Sequence, residues 1–144
     1  MTRDPDCEFC EIVANEEPAR EVLRTDSIVA FFPINPATLG HTLIVPCDHV
    51  PDIWSLDRET AHELADATLR VANGVREAIS MDGLNIIQSN GEAATQTIFH
   101  LHVHVVPRRD DDAIGRIWPP ETSWSEAAKD DAWERIRAAV RNAR

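Results

Sequence analysis

The segment His100-Leu101-His102-Val103-His104-Val105-Val106-Pro107 carries three of the chain's six histidines at alternate positions, with an apolar residue between each pair. In an extended strand this alternation turns the three imidazoles to one side and Leu101, Val103 and Val105 to the other. A solvated strand face is one explanation, but such faces mostly carry Thr, Lys, Arg or Glu. Imidazole adds titration and ligation near neutral pH. Two chemistries fit the spacing. The rings are close enough to share a transition metal, or they can surround one phosphorus atom, a neutral imidazole attacking while its neighbours donate to phosphate oxygens. A second candidate is Cys7-x-x-Cys10, which offers a two-thiolate chelate, a redox pair or two core thiols. Cys47 reads as a buried spare thiol. Three cysteines in a chain whose N-terminus, MTRDPDCEFC, has no apolar leader argue against a disulfide framework, and the protein is expected to be cytoplasmic.

The elements that must position these groups follow from pattern. Ile28–Phe32 (IVAFF) and His41–Val45 are short, apolar, partly β-branched runs separated by the proline-rich turn PINPATLG, and each reads as a strand. From Leu56 to Met81 the period changes to three and four, with Leu64, Thr68, Val71, Val75 and Ile79 on one stripe, which predicts one long amphipathic helix. Ser55 or Asp57 supplies its cap, and Asp82-Gly83 ends it. Leu84–Gln88 predicts a strand, residues 89–97 a polar loop, and Phe99–Val106 the histidine strand. After Pro119-Pro120, Ser123 or Ser125 caps a last helix bearing Ala128, Trp133, Ile136 and Val140. This order predicts an α+β domain with a mainly antiparallel sheet.

At 144 residues the chain suits a single domain, and a domain of this size buries roughly 68% of its unfolded surface without a staple. Its formal charge of −11 argues against general nucleic-acid or anionic-membrane binding, while a local phosphate site stays open. No apolar run approaches the ~20 residues of a membrane span. His62, among acidic residues of the long helix, reads as a solvated surface histidine.

The pattern HLHVHVV resembles the His-φ-His-φ-His-φ-φ signature of the histidine triad family. Further segments are similar to family landmarks in the family's order: Cys7–Val13 (CEFCEIV), Asn35–Pro46 (NPATLGHTLIVP), His49-Val50, Asn90–Ala93 (NGEA) and Gln96-Thr97. Together they cover residues 7 to 119, roughly, of a single domain spanning 1–144, with a C-terminal helical extension at about 123–144. The resemblance implies a sheet of about five strands with one long central helix and a C-terminal helix.

It also implies binding of a purine nucleotide or nucleotide conjugate and cleavage at the α-phosphate through a covalent nucleotidyl-histidine. His102 matches the nucleophile, with a backbone carbonyl holding its tautomer. His104 resembles the histidine that donates to the phosphate or leaving group, His41 the fourth histidine of the pocket, and Thr97 the hydroxyl near the leaving group. Asn90 is similar to the amide on the phosphate or sugar side, and Gln96 joins it among the substrate-binding residues. Phe9, Ile12, Phe31 and Ile34 match apolar positions of the purine slot. Trp118 resembles a residue that reaches the partner's pocket in dimeric members, so a homodimer is expected. In zinc-containing members a CxxC pair joins two histidines, which here are Cys7, Cys10, His49 and His100; four protein ligands make a closed, structural zinc site. Pro33 departs from the family, standing where many members carry a ribose-binding acidic or amide residue, and proline offers neither donor nor side-chain acceptor. Ala94-Thr95 replace a commonly glycine-containing turn before Gln96. The implied activity is a nucleotide phosphohydrolase or phosphoramidase acting on AMP-X or dinucleoside polyphosphates. A nucleotidyltransferase or a dinucleoside polyphosphate phosphorylase is the close alternative. A non-catalytic nucleotide- or zinc-binding interaction module is the alternative of another class.

Overall fold

A computed structural model of the chain describes residues 1–143. Five antiparallel strands form one sheet in the order β1-β2-β3-β5-β4, with β1 at Arg20–Arg24, β2 at Ile28–Phe32, β3 at Thr42–Pro46, β4 at Gly83–Gln88 and β5 at Val103–Arg108. Helix α1 (Glu8–Val13) precedes β1, the long helix α2 (Arg58–Ala78) follows β3, and α3 (Glu126–Asn142) comes last. The chain divides into two compact units, Met1–Ala113 and the described residues from Ile114 onward.

Strands β2 and β3 are continuous apolar runs because both of their faces are covered. On one face Ile28, Ala30, Ile44, Leu101, Val103 and Val105 pack with Leu64, Ala67, Val71 and Val75 of α2. On the other, Val29, Phe31, Leu43 and Val45 pack with Cys7, Phe9, Cys10 and Val13 of the α1 segment. Leu43 pairs with His104 in the β3–β5 ladder, which puts His104 on the α1 side of the sheet. Helix α2 is capped by Asp57, whose carboxylate accepts from the Thr60 amide at 2.9 Å. Helix α3 begins with the Ser125 hydroxyl accepting from the Ala128 amide at 3.1 Å, and its apolar residues Trp133, Ile136 and Val140 are exposed. No helix of the described residues is long and apolar enough to cross a membrane.

Two elements have no counterpart in the sequence expectation. Helix α1 is a six-residue helix, too short to display a period, and β1 (REVLR) is a charged, largely exposed edge strand with an irregularity between Glu21 and Leu23. The histidine strand is also shorter than Phe99–Val106. Ladder pairing starts at Val103, because the backbone just before it is bonded elsewhere. The Leu101 amide donates to the Val50 carbonyl at 2.7 Å, and the His100 carbonyl accepts from the His102 ring at 2.8 Å. The side chains nevertheless alternate as expected, since Leu101 is sealed in the α2-side core while His100 and His102 meet Phe9.

Leu101 is fully buried between two histidines that belong to the opposite face. Leu101→Ala is expected to lower unfolding free energy by about 2–5 kcal/mol, read from urea unfolding followed by circular dichroism. A loss under about 1 kcal/mol would contradict its placement in the core.

Candidate active site

Four histidines, His41, His100, His102 and His104, lie on the α1 side of the sheet, and three of them, His41, His102 and His104, form one cluster. The His102 ring lies edge-on to Phe9, centroids 5.2 Å apart, and 4.8 Å from the His104 ring. His104 Nδ1 is 2.9 Å from His41 Nε2. Phe9 in turn packs edge-on against Phe31 at 5.4 Å.

The donors and acceptors around His102 assign its protons. A carbonyl oxygen only accepts, so the contact at 2.8 Å between His102 Nδ1 and the His100 carbonyl requires the proton on Nδ1. A neutral ring then has its lone pair on Nε2. Burial holds His102 below its ordinary value, partly offset by that carbonyl. Burial also lowers His41, helped by His102, and pushes His104 down to about 4, with His102 and His41 adding to the effect. At neutral pH the cluster is therefore a set of uncharged imidazoles, the form in which a histidine is a nucleophile or a metal ligand.

A second cluster lies beside the first. Cys7 Sγ is 3.4 Å and Cys10 Sγ 3.6 Å from His100 Nδ1, and Cys10 Sγ is 3.4 Å from His49 Nδ1. The ligand atoms of these four residues all lie within 4.8 Å of one another. A tetrahedral zinc with bonds of about 2.3 Å to sulfur and 2.0 Å to nitrogen separates S from N by about 3.5 Å, so the donor set fits. The tautomer fits too. His100 Nε2 donates to the Pro46 carbonyl at 2.8 Å, which leaves Nδ1 unprotonated toward the thiols. Burial raises the Cys7 thiol, so a free thiolate is disfavoured there and a cation would favour it. Helix α1 places Cys7 and Cys10 three residues apart, on adjoining positions of its first turn.

The remaining expected residues take different places. Gln96 is buried and all its side-chain bonds go to backbone: Nε2 donates to the Pro51 and Ile98 carbonyls at 2.7 and 3.1 Å, and Oε1 accepts from the Gly91 amide at 2.8 Å. Asn90 exchanges amide bonds with Gln88 and accepts from the Ile53 amide at 2.8 Å. Both shape the loop at 89–97, in which Gly91 and Thr95 adopt positive φ. Thr97 is exposed, Ile12 is half-buried beside Phe9's cluster, and Ile34 is 99% exposed. Trp118, 81% exposed, belongs to the second unit. The Pro46 and His100 oxygens act through backbone, and a backbone group leaves no side-chain signature.

Residues 14–111 match the family model described as the HIT domain, and the chain belongs to this family. The two cysteines of the metal-ligand cluster precede the matched segment. Similar proteins include the adenosine 5'-monophosphoramidase HNT1 of Saccharomyces cerevisiae, 34% identical over 132 residues, or 89% of this chain and 80% of that one. Among solved structures, SMU.412c from Streptococcus mutans UA159 superposes with a TM-score of 0.89 at 35% identity, over 96% of this chain and 87% of that one. A zinc-bound histidine triad family protein from Mycobacterium smegmatis gives 0.71 at 35% identity, over 93% and 97%. The fold is the α+β histidine triad fold.

The buried histidines also set a pH dependence. His104 has an ordinary value of 6.5 and a folded value of about 4, so between these limits the unfolded chain binds the proton and the folded chain does not. Its contribution to stability is complete above 6.5 and is withdrawn as pH falls toward 4. Denaturant midpoints are expected to fall across this window, and to fall less steeply in His104→Asn. Equal slopes in the two proteins would contradict the assignment.

Proposed function

We propose that the first unit is a nucleotide phosphohydrolase or phosphoramidase that attacks the α-phosphate of AMP-X or a dinucleoside polyphosphate through His102. The observation that carries this is the bond from His102 Nδ1 to the His100 carbonyl, which leaves a lone pair on Nε2 of a buried, neutral ring. Nε2 attacks phosphorus, a P–N bond forms, and the bond to the leaving group breaks, the leaving group departing with the electron pair. The positive charge gained by the ring is stabilised through Nδ1–H by the same carbonyl. Water then attacks phosphorus, the P–N bond breaks, and the nucleoside monophosphate leaves. His104 donates to a phosphate or leaving-group oxygen and His41 supports it. Thr97 serves the leaving group, while Asn90 and Gln96 act by holding the loop at 89–97. Phe9, Ile12, Phe31 and Ile34 form the base slot, and a fully exposed isoleucine such as Ile34 gains most from a stacked base. Trp118 is assigned to the partner's pocket of a homodimer.

The monophosphoramidase name of the yeast relative supports hydrolysis over transfer. An intact alternation of His100, His102 and His104, with a lone pair kept on His102 Nε2, supports an enzyme over a purely non-catalytic binding module. Zinc, held by Cys7, Cys10, His49 and His100, is proposed as a structural ion, supported by the fit of the donor set and by the zinc-bound relative. When bound it cross-links the N-terminal arm to the start of the histidine segment.

Rapid-quench incubation with labelled adenosine 5'-monophosphoramidate or a diadenosine polyphosphate is expected to trap an acid-labile adduct on His102. His102→Asn should remove the adduct and lower turnover by at least about a thousandfold. Binding without adduct or turnover for either substrate class would reject the enzyme reading. Metal analysis of the purified protein is expected to give one zinc per chain, lost in Cys7→Ser, and a metal-free wild type would reject the zinc site.

A further inference from the structure

We propose that the backbone N–H of Ala37, in the turn between β2 and β3, is a positioning group that decides which nitrogen of His104 faces substrate. This rests on the reading of the cluster as a phosphoryl-transfer site, and it adds a residue that touches neither substrate nor the nucleophile.

Hydrogen-bond polarity fixes where the ring protons sit. The Ala37 amide donates to His41 Nδ1 at 3.1 Å. An amide nitrogen has no lone pair to offer, so Nδ1 must be bare and a neutral His41 must carry its proton on Nε2. That nitrogen lies 2.9 Å from His104 Nδ1, so it donates there, His104 Nδ1 accepts, and the only proton of a neutral His104 sits on its Nε2. The chain Ala37 N–H, His41, His104 has one allowed sense. Reversing it would set an N–H against an N–H at Ala37.

His102 and His104 are thereby held in opposite tautomers. His102 carries its proton on Nδ1 against the His100 carbonyl, with a bare Nε2; His104 carries its proton on Nε2, with a filled Nδ1. One ring is a lone-pair donor, its neighbour a hydrogen-bond donor, and two different backbone groups make them so. Without the clamp, His41 can present either nitrogen state to His104. His104 can then turn a lone pair toward the phosphate oxygens, which repels them.

The turn is built to hold that amide still. Thr38 Oγ1 donates to the Pro107 carbonyl at 2.7 Å, and the His41 amide donates to the Thr38 carbonyl at 3.1 Å. Gly40 takes φ +94, where a Cβ would meet Pro107 and Ile79 side chains at 3.1 and 3.2 Å. The Ala37 side chain itself is exposed. The position therefore constrains only the presence of an N–H, which every residue except proline supplies.

The test reads tautomers first. In the full-length protein with 15N-labelled histidine, long-range N–H correlation should find His41 and His104 protonated at Nε2 and His102 at Nδ1. A His104 protonated at Nδ1, or exchanging between forms, overturns the proposal. This reading needs no substrate, so it fails independently of the proposed reaction, which fails if His102 gives no adduct. Ala37→Pro should lower kcat on adenosine 5'-monophosphoramidate by about three- to tenfold, the range one hydrogen bond supplies, and should mix the His104 tautomers. In a His41→Gln background the side-chain amide cannot move its proton, so the same proline should lower kcat by less than about twofold. Equal losses in both backgrounds would make the Ala37 effect one of turn shape alone and would overturn the proposal. If Ala37→Pro does not fold, the wild-type tautomers still decide.

Discussion

The peptide unit of His100 is the constraint on which both clusters depend. Its carbonyl accepts the Nδ1 proton of His102, and its own side chain, held at Nε2 by the Pro46 carbonyl, turns Nδ1 to the two thiols. One residue thus orients the His102 ring through its backbone and the Cys7–Cys10–His49–His100 cluster through its own ring. The bond to His102 also explains why the β-ladder begins only at Val103, since a carbonyl bound to an imidazole in its own segment is withdrawn from pairing. The short strand and the oriented ring are the same fact seen at two scales.

Keeping four imidazoles neutral on one face of the sheet needs acceptors and donors of the right polarity at every ring nitrogen that is not reserved for chemistry. The protein meets this with backbone more than with side chains: Pro46, His100 and Ala37 each contribute one peptide group. No buried side-chain nitrogen or oxygen among the described residues lacks a partner. A carboxylate in the same place would have favoured the charged imidazolium, a ring with no lone pair on either nitrogen.

Much of this was legible in the chain. The doubly covered strands β2 and β3 show as unbroken apolar runs, α2 shows by its period of three and four, and the alternation of HLHVHV gives the opposed faces correctly although only part of it is ladder. The residues of the Cys7–Cys10–His49–His100 group could be paired only through likeness to known proteins, because 90 positions separate Cys10 from His100 and no local pattern spans such a distance. Helix α1 was too short to show a period, and β1, being charged and at the edge, lacked the apolar alternation that marks a strand. Asn90 and Gln96 look in sequence like polar groups free for a ligand. In the folded chain their amides are engaged instead by backbone groups of the loop and of the Pro51–Ile53 segment and, for Asn90, by the Gln88 side chain.

The distance between the members of that cluster has a further consequence, for the order of assembly. Cys7 and His100 stand 93 positions apart, so their meeting closes a loop around the four strands that precede the histidine segment. Closing so long a loop costs only slightly more than closing one half its length, by about 0.6 kcal/mol. During synthesis, however, the cysteines emerge first and wait for nearly the whole unit before their histidine partner exists. The cluster therefore works as a clasp that is fastened late, on a sheet whose β1–β2–β3 meander is already available to hold the α1 segment in place.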